Sequence, residues 1–142
     1  GPPDFLIGKL IDVATSRGIL VVAAYDRKMA GGGFPASPAG VIAVTDEALV
    51  SPPKGVYSAP GRDVPTTRPG GKWFVVDGSS YAAAHVSGLL ALVSEREPSG
   101  SARLALVSPR SNGEIDACAS LLRVSGRNDC ACAVPPLASN LR

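Results

Sequence analysis

The sequence predicts an α/β fold, and three stretches carry that prediction. Residues 19–24 (Ile-Leu-Val-Val-Ala-Ala) form a continuous apolar run directly after a helix-patterned segment, the texture of a parallel strand covered on both faces. Residues 40–45 (Gly-Val-Ile-Ala-Val-Thr) read as a second short apolar strand. Residues 81–93 are small and apolar on every side, which fits a buried helix. Helix, strand, loop, strand and central helix in that order make an α/β architecture.

The elements follow in chain order. Pro3 and Asp4 suit a helix start, by preset φ and by capping. Leu6, Leu10 and Val13, with Ile7, Ile11 and Ala14, recur at three-to-four spacing, and Gly18 ends the helix. Residues 25–38 read as a loop, with Gly31-Gly32-Gly33 and two prolines. Residues 46–71 show little periodicity apart from a short strand at Val56-Tyr57-Ser58. Another short strand fits Trp73-Phe74-Val75-Val76, and Gly78-Ser79-Ser80 then opens the central helix, which ends near Glu97-Pro98. Beyond Pro98, residues 102–107 and 115–124 are each able to form something short, the rest is Ser, Gly, Arg, Asn and Pro, and the whole is expected to be a poorly packed extension. The expected division is a domain over residues 1–97 and a low-structure extension over 98–142.

Composition bounds the function classes. A chain of 142 residues, 45% apolar and 18% charged, is one domain's worth and can bury a core. Its 14 Lys and Arg against 12 Asp and Glu are spread without a basic run, so no nucleic-acid partner is expected. The longest apolar runs span six residues where a bilayer needs roughly twenty, so no membrane partner is expected either. Position 1 is not Met and no basic-then-apolar leader follows, as in a processed chain or a piece of a longer one. Cys118, Cys130 and Cys132 lie in the last 25 residues. Cys130-Ala-Cys132 is too tight for a usual zinc knuckle, so a loop-closing disulfide from Cys118 in an oxidising compartment is the expected use.

Ser80 is the focus of any chemistry. It follows a strand and a Gly-Ser turn and opens a helix of small residues, which places a hydroxyl where helix amides and dipole favour developing negative charge. The same pattern fits an ordinary N-cap, by Ser79 or Ser80. His85 is the sole histidine. Five residues along a helix turn about 500°, roughly 140° around the axis, so its ring and the Ser80 hydroxyl point to different faces. His85 is therefore expected to be a packed, hydrogen-bonded helix residue, and the chain holds no base for Ser80. Gly31-Gly32-Gly33 lacks the Lys-Ser/Thr and following helix of a phosphate loop, so it reads as a flexible loop. The order strand, Gly78-Ser79-Ser80-Tyr81-Ala82, helix also approaches the nucleophile elbow of α/β-hydrolases, but Ala82 replaces the second Gly and no His follows at a distance.

Gly78-Ser79-Ser80-Tyr81-Ala82-Ala83-Ala84-His85-Val86-Ser87-Gly88 closely resembles the nucleophile motif of the subtilisin-like serine proteases, G-T-S-M-A-A-P-H-V-A-G. Three more stretches are similar to that family in its order. Gly1-Pro2, a helix, and residues 18–24 resemble G-G-P, helix and G-V-V-V-V-A-A-A-G-N. Phe34-Pro35-Ala36-Ser37 with residues 40–44 resembles Y-P-A-S…V-I-A-V, and residues 58–64 resemble S-A-P-G-x-x-I. The resemblance covers residues 1 to about 95. It implies part of a three-layer fold with a mostly parallel sheet, and the C-terminal part of a peptidase domain.

It also implies covalent catalysis on a polypeptide substrate, with Ser80 as nucleophile and its backbone N–H as one oxyanion donor. His85 matches the motif's structural histidine. The family's catalytic Asp and His lie in D-[ST]-G and H-G-T-x-V-A-G motifs, and neither stands in this chain, so the expected partner is the N-terminal remainder of the domain and the chain alone is expected to be inactive. Gly1 and Ala24 fall on segments that line the family's substrate cleft. The family's oxyanion Asn is missing from Ala23-Ala24-Tyr25-Asp26-Arg27: a gapless count puts Arg27 opposite it, and a one-residue deletion puts Asp26 there, the favoured choice because Asp is nearly the size and shape of Asn. An ionised Asp would repel an oxyanion, and losing one donor costs about 10² to 10³ in rate. The same departure leaves open a non-catalytic subtilisin-like scaffold that binds a partner. No cofactor is expected in this chain. The resemblance leaves calcium open for the full-length protein, since no Asp-rich loop stands in this chain and the family's sites can lie upstream, and export to the cell envelope or beyond is expected.

Overall fold

The computed structural model describes residues 2–97 and 101–129. Helix α1 runs Phe5–Ser16, and the Asp4 carboxylate caps it by accepting the Ile7 N–H at 2.9 Å. The chain turns through Gly18 at φ 77° and enters strand β1, Val22–Ala24. Strands β2 (Ile42–Thr45) and β3 (Val56–Ser58) continue a parallel sheet in the order β1-β2-β3, with Val22 opposite Ile42 and Val44 opposite Tyr57. The α/β class with a parallel sheet is thus as the apolar runs indicate.

Helix α2, Ser79–Arg96, packs across β1 and β2. Its buried side chains are Ala82, Ala83, Val86, Leu89, Leu90 and Val93, a stripe at three-to-four spacing. These join Ile42 and Val44 in the main core, and a smaller cluster of Ile11, Ala23, Ala36, Val41 and Ala43 fills the other face of the sheet.

Several expectations need correction. Strand β1 is shorter than the apolar run, with Ile19 before it 57% exposed, but it is covered on both faces as expected, Val22 packing on the α2 core and Ala23 buried in the cluster around Ile11. Of α1's apolar face only Ile11 is buried, whereas Leu6, Leu10 and Val13 are open. Helix α2 is not buried all round: Ala84, His85 and Leu92 are exposed. Each departure has one cause, that nothing among the described residues covers these faces.

Strand β4, Val64–Arg68, has no periodicity signal because it pairs rather than packs. It forms an antiparallel hairpin with β5, Lys72–Val76, turned by Gly70 and Gly71 at positive φ. The expected poor packing of the tail is also corrected over residues 101–125, where short helices fall on the two stretches expected to form something short. Short helix α3 (Ala102–Ala105) and α4 (Ala117–Ser125) pack on α2, and Ala102, Ala105 and Leu106 belong to the main core. The Ser120 hydroxyl, fully buried, accepts the Val107 N–H at 2.9 Å and donates to the Asp116 carbonyl at 2.6 Å. Polar contacts stitch this segment, and hydrophobic periodicity cannot register them. Cys118 is disulfide-bonded, as expected of it; Cys130 and Cys132 lie outside the described residues.

Candidate functional site

The C-terminal ends of β1, β2 and β3 and the first turn of α2 converge on one side of the sheet. Parallel α/β sheets place ligand sites at such strand ends. A cleft of about 630 Å³ opens there, lined by residues 24–28 after β1, Asp46 and Glu47 after β2, and Ser79 and Ser80. Ala24, Asp26 and Ser80 are therefore brought together. Gly1 lies outside the described residues.

Ser80 sits in the first turn of α2, where backbone amides have no preceding helical carbonyl to bond. The N-cap is Gly78 at φ 141°, with no side-chain cap and no acidic residue in the first turn. Neither serine is therefore the N-cap that their spacing also allowed. The Ser79 hydroxyl donates instead to Asp46 Oδ1 at 2.9 Å. Among the described residues no hydrogen bond holds the Ser80 hydroxyl. The turn rests on close backbone packing, since the Gly78 N–H donates to the Gly61 carbonyl at 2.7 Å.

His85 is hydrogen-bonded as expected but exposed rather than packed. Its Nδ1 lies 2.7 Å from the Pro60 carbonyl, which can only accept, so Nδ1 carries the proton. This bond ties α2 to the loop after β3.

Asp26 lines the cleft with its carboxylate turned back into its own loop, where Oδ1 accepts the Lys28 N–H at 2.9 Å. Arg27, the alternative at this position, pairs with Glu47, and Glu47 also pairs with Arg62. Gly31-Gly32-Gly33, expected to be a flexible loop, contains a 3₁₀ turn over Ala30–Gly32. A Cβ on Gly32 would fall 2.2 Å from the Tyr25 ring, so glycine there lets Tyr25 sit down beside the cleft wall.

Sequence reasoning missed Asp46, Glu47 and Arg62. The available signal was an acidic pair immediately after an apolar strand, Thr45-Asp46-Glu47, in a parallel sheet. Among the described residues no three His, Cys, Asp or Glu side chains group as they would to hold a metal ion.

No family model matches the chain. It is 37% identical over 108 residues to the M-protease of Shouchella clausii (strain KSM-K16), covering 70% of this chain and 28% of that protein. The identity is also 37% over 108 residues to Subtilisin Savinase of Lederbergia lenta, covering 70% of this chain and 40% of that one. The chain thus spans less than half the length of these curated relatives. Among solved structures, the self-cleaved protease domain of PatA matches with TM-score 0.71 and 23% identity over 91% of this chain and 58% of that chain. The prenylagaramide maturation protease PagA matches with TM-score 0.68 and 21% identity over 89% of this chain and 58% of that one. At those identities the likeness is one of fold, and coverage of 91% is more than residues 1–97 alone can supply, so it takes in part of the tail.

Proposed function

The chain belongs to the subtilisin-like serine protease family, and on that premise we propose that it carries the nucleophile of a serine endopeptidase whose catalytic Asp and His lie outside residues 1–142. The observation that carries this is Ser80 in the uncapped first turn of α2, its hydroxyl without a protein partner among the described residues, facing a cleft at the sheet's C-terminal end.

The chemistry follows from that placement. The Ser80 Oγ attacks a peptide carbonyl carbon while the histidine from the remainder of the domain takes its proton. Negative charge gathers on the carbonyl oxygen, and the Ser80 N–H donates to it with the helix dipole behind. The protonated histidine gives its proton to the leaving amine, and water then cleaves the acyl-enzyme. Ala24 and the segment continuing through Gly1 line the polypeptide. Asp26 occupies the oxyanion position, where only its protonated form donates. By themselves residues 1–142 lack the base and are proteolytically silent. Cys118 in a disulfide supports an exported protein.

A second reading has one observation in its favour: an acid stands where the family has an amide, as in a scaffold that binds without cleaving. Fluorophosphonate labelling of the full-length protein separates the two. Covalent modification at Ser80, abolished by Ser80→Ala, is expected. Absence of labelling beside an intact upstream Asp and His leaves the scaffold reading standing.

A further inference from the structure

Three loops meet around Ser80, and one carboxylate touches the turn that holds it. Asp46 directly follows β2, its side chain is 17% exposed, and its Oδ1 accepts the Ser79 hydroxyl at 2.9 Å. Gly61, after β3, lies against the same turn: a Cβ there would stand 2.6 Å from Asp46 Cβ and 2.9 Å from the Gly78 carbonyl oxygen. Backbone therefore holds the turn on one side and a carboxylate on the other.

The bond has a structural consequence. The Ser79 hydroxyl, in the first turn of α2, donates to Asp46 Oδ1 and so ties that turn to the end of β2, while the turn's amides carry no side-chain cap. The other oxygen of Asp46 stands 3.9 Å from Arg62 Nε, and Arg62 also pairs with Glu47. Glu47 pairs in turn with Arg27, in the loop across the cleft. Arg62 and Arg27 are about half exposed, so water screens their pairs. The Ser79–Asp46 bond is better shielded and charge-assisted, and it is the strong link.

We propose that Asp46 is the positioning residue of the Ser80 turn. It anchors the turn to the end of β2 through the Ser79 hydroxyl and, through Arg62 and Glu47, fixes the loop of residues 25–28 across the cleft. This rests on the reading of Ser80 as nucleophile.

The test compares Asp46→Ala, Asp46→Asn, Ser79→Ala and the Asp46→Ala/Ser79→Ala double variant in the full-length protein. Two readouts are taken: the second-order rate of fluorophosphonate labelling at Ser80, and hydrogen exchange over residues 24–30 and 76–84. Asp46→Ala and Ser79→Ala are each expected to slow labelling about tenfold to a hundredfold, the scale of a small misplacement of a reacting group. The double variant should be no slower than either, and Asp46→Asn should keep most of the rate because its amide oxygen still accepts. Exchange should rise in both segments of Asp46→Ala. Wild-type labelling in Asp46→Ala, losses that multiply in the double variant, or unchanged exchange over residues 24–30 each overturn the proposal. Should Asp46→Ala fail to fold, Ser79→Ala reads the same bond. If the wild-type protein does not label, the nucleophile reading falls, and the exchange result alone decides whether Asp46 holds the turn and the loop together.

Discussion

Asp26 poses the sharpest question at the residue scale, because a carboxylate in an oxyanion position works against the charge it should stabilise. Its Oδ1 is occupied by the Lys28 N–H, and Arg27 beside it is engaged by Glu47. An asparagine at position 26 keeps the oxygen acceptor for Lys28 and adds an N–H₂ donor. Asp26→Asn in the full-length protein is therefore expected to raise kcat about 10² to 10³-fold, the value of one such donor, with little change in KM. An unchanged or lower kcat on a peptide substrate would remove Asp26 from the oxyanion site and turn attention to Arg27. Ser80 stood out as the reactive candidate through the resemblance of residues 78–88 to the family's nucleophile motif, because a strand, a Gly-Ser turn and small helical residues by themselves fit an ordinary N-cap equally. The Ser79–Asp46 bond was not legible, since its partners stand 33 residues apart and meet only through the parallel register of β2. His85 was legible as a bonded residue, yet its exposure depends on what covers α2 and not on its own neighbours.

Helix α2 connects the element scale to the site, since the same 18 residues carry Ser80 at one end and the main core along one face. The small residues Ala82 and Ala83 bring the first turn close to the strand-end loops, and Val86, Leu90 and Val93 anchor the rest. Leu90 is 2% exposed and Leu92 is 53% exposed, so the two leucines should separate cleanly on truncation. Leu90→Ala is expected to cost about 2–5 kcal/mol by lost transfer energy and a residual cavity. Leu92→Ala should stay within about 0.5 kcal/mol, as open surface changes do. Urea unfolding of the full-length protein checks both, and comparable losses would mean that the open face of α2 is covered in that protein. Periodicity located α1, β1, β2 and α2 because apolar residues build them. It passed over β4, a strand of Val, Pro, Thr, Thr and Arg held by pairing to β5. It marked residues 115–124, where α4 lies, without showing that they pack, since the one fully buried side chain of α4 is Ser120.

The described residues make a three-stranded sheet, a hairpin and four helices, with one edge of the sheet left open. Strand β1 ends the sheet with an unpaired edge, α1 presents Phe5 and Leu6 at 82% and 68% exposure, and Leu20, Val22, Leu90 and Ala91 line a groove of about 410 Å³ beside that edge. Exposed strand edges template pairing with other chains, and contiguous apolar faces drive association. The relatives that match are two and a half to three and a half times longer than their shared region, so in them other residues are present to meet such a surface. Residues 1–142 expressed alone have only one another. They are expected to elute as mixed oligomers in size-exclusion chromatography with light scattering, and to lose solubility as concentration rises. The driving surface is apolar, so added salt should not disperse the oligomers, whereas charge-paired association would weaken as salt shortens the Debye length from about 8 Å at physiological ionic strength to about 3 Å at 1 M. A monodisperse monomer with a single cooperative melt would show that the β1 edge and the α1 face are satisfied within the chain itself, and the proposal that a further part of the domain covers them would lose its physical basis.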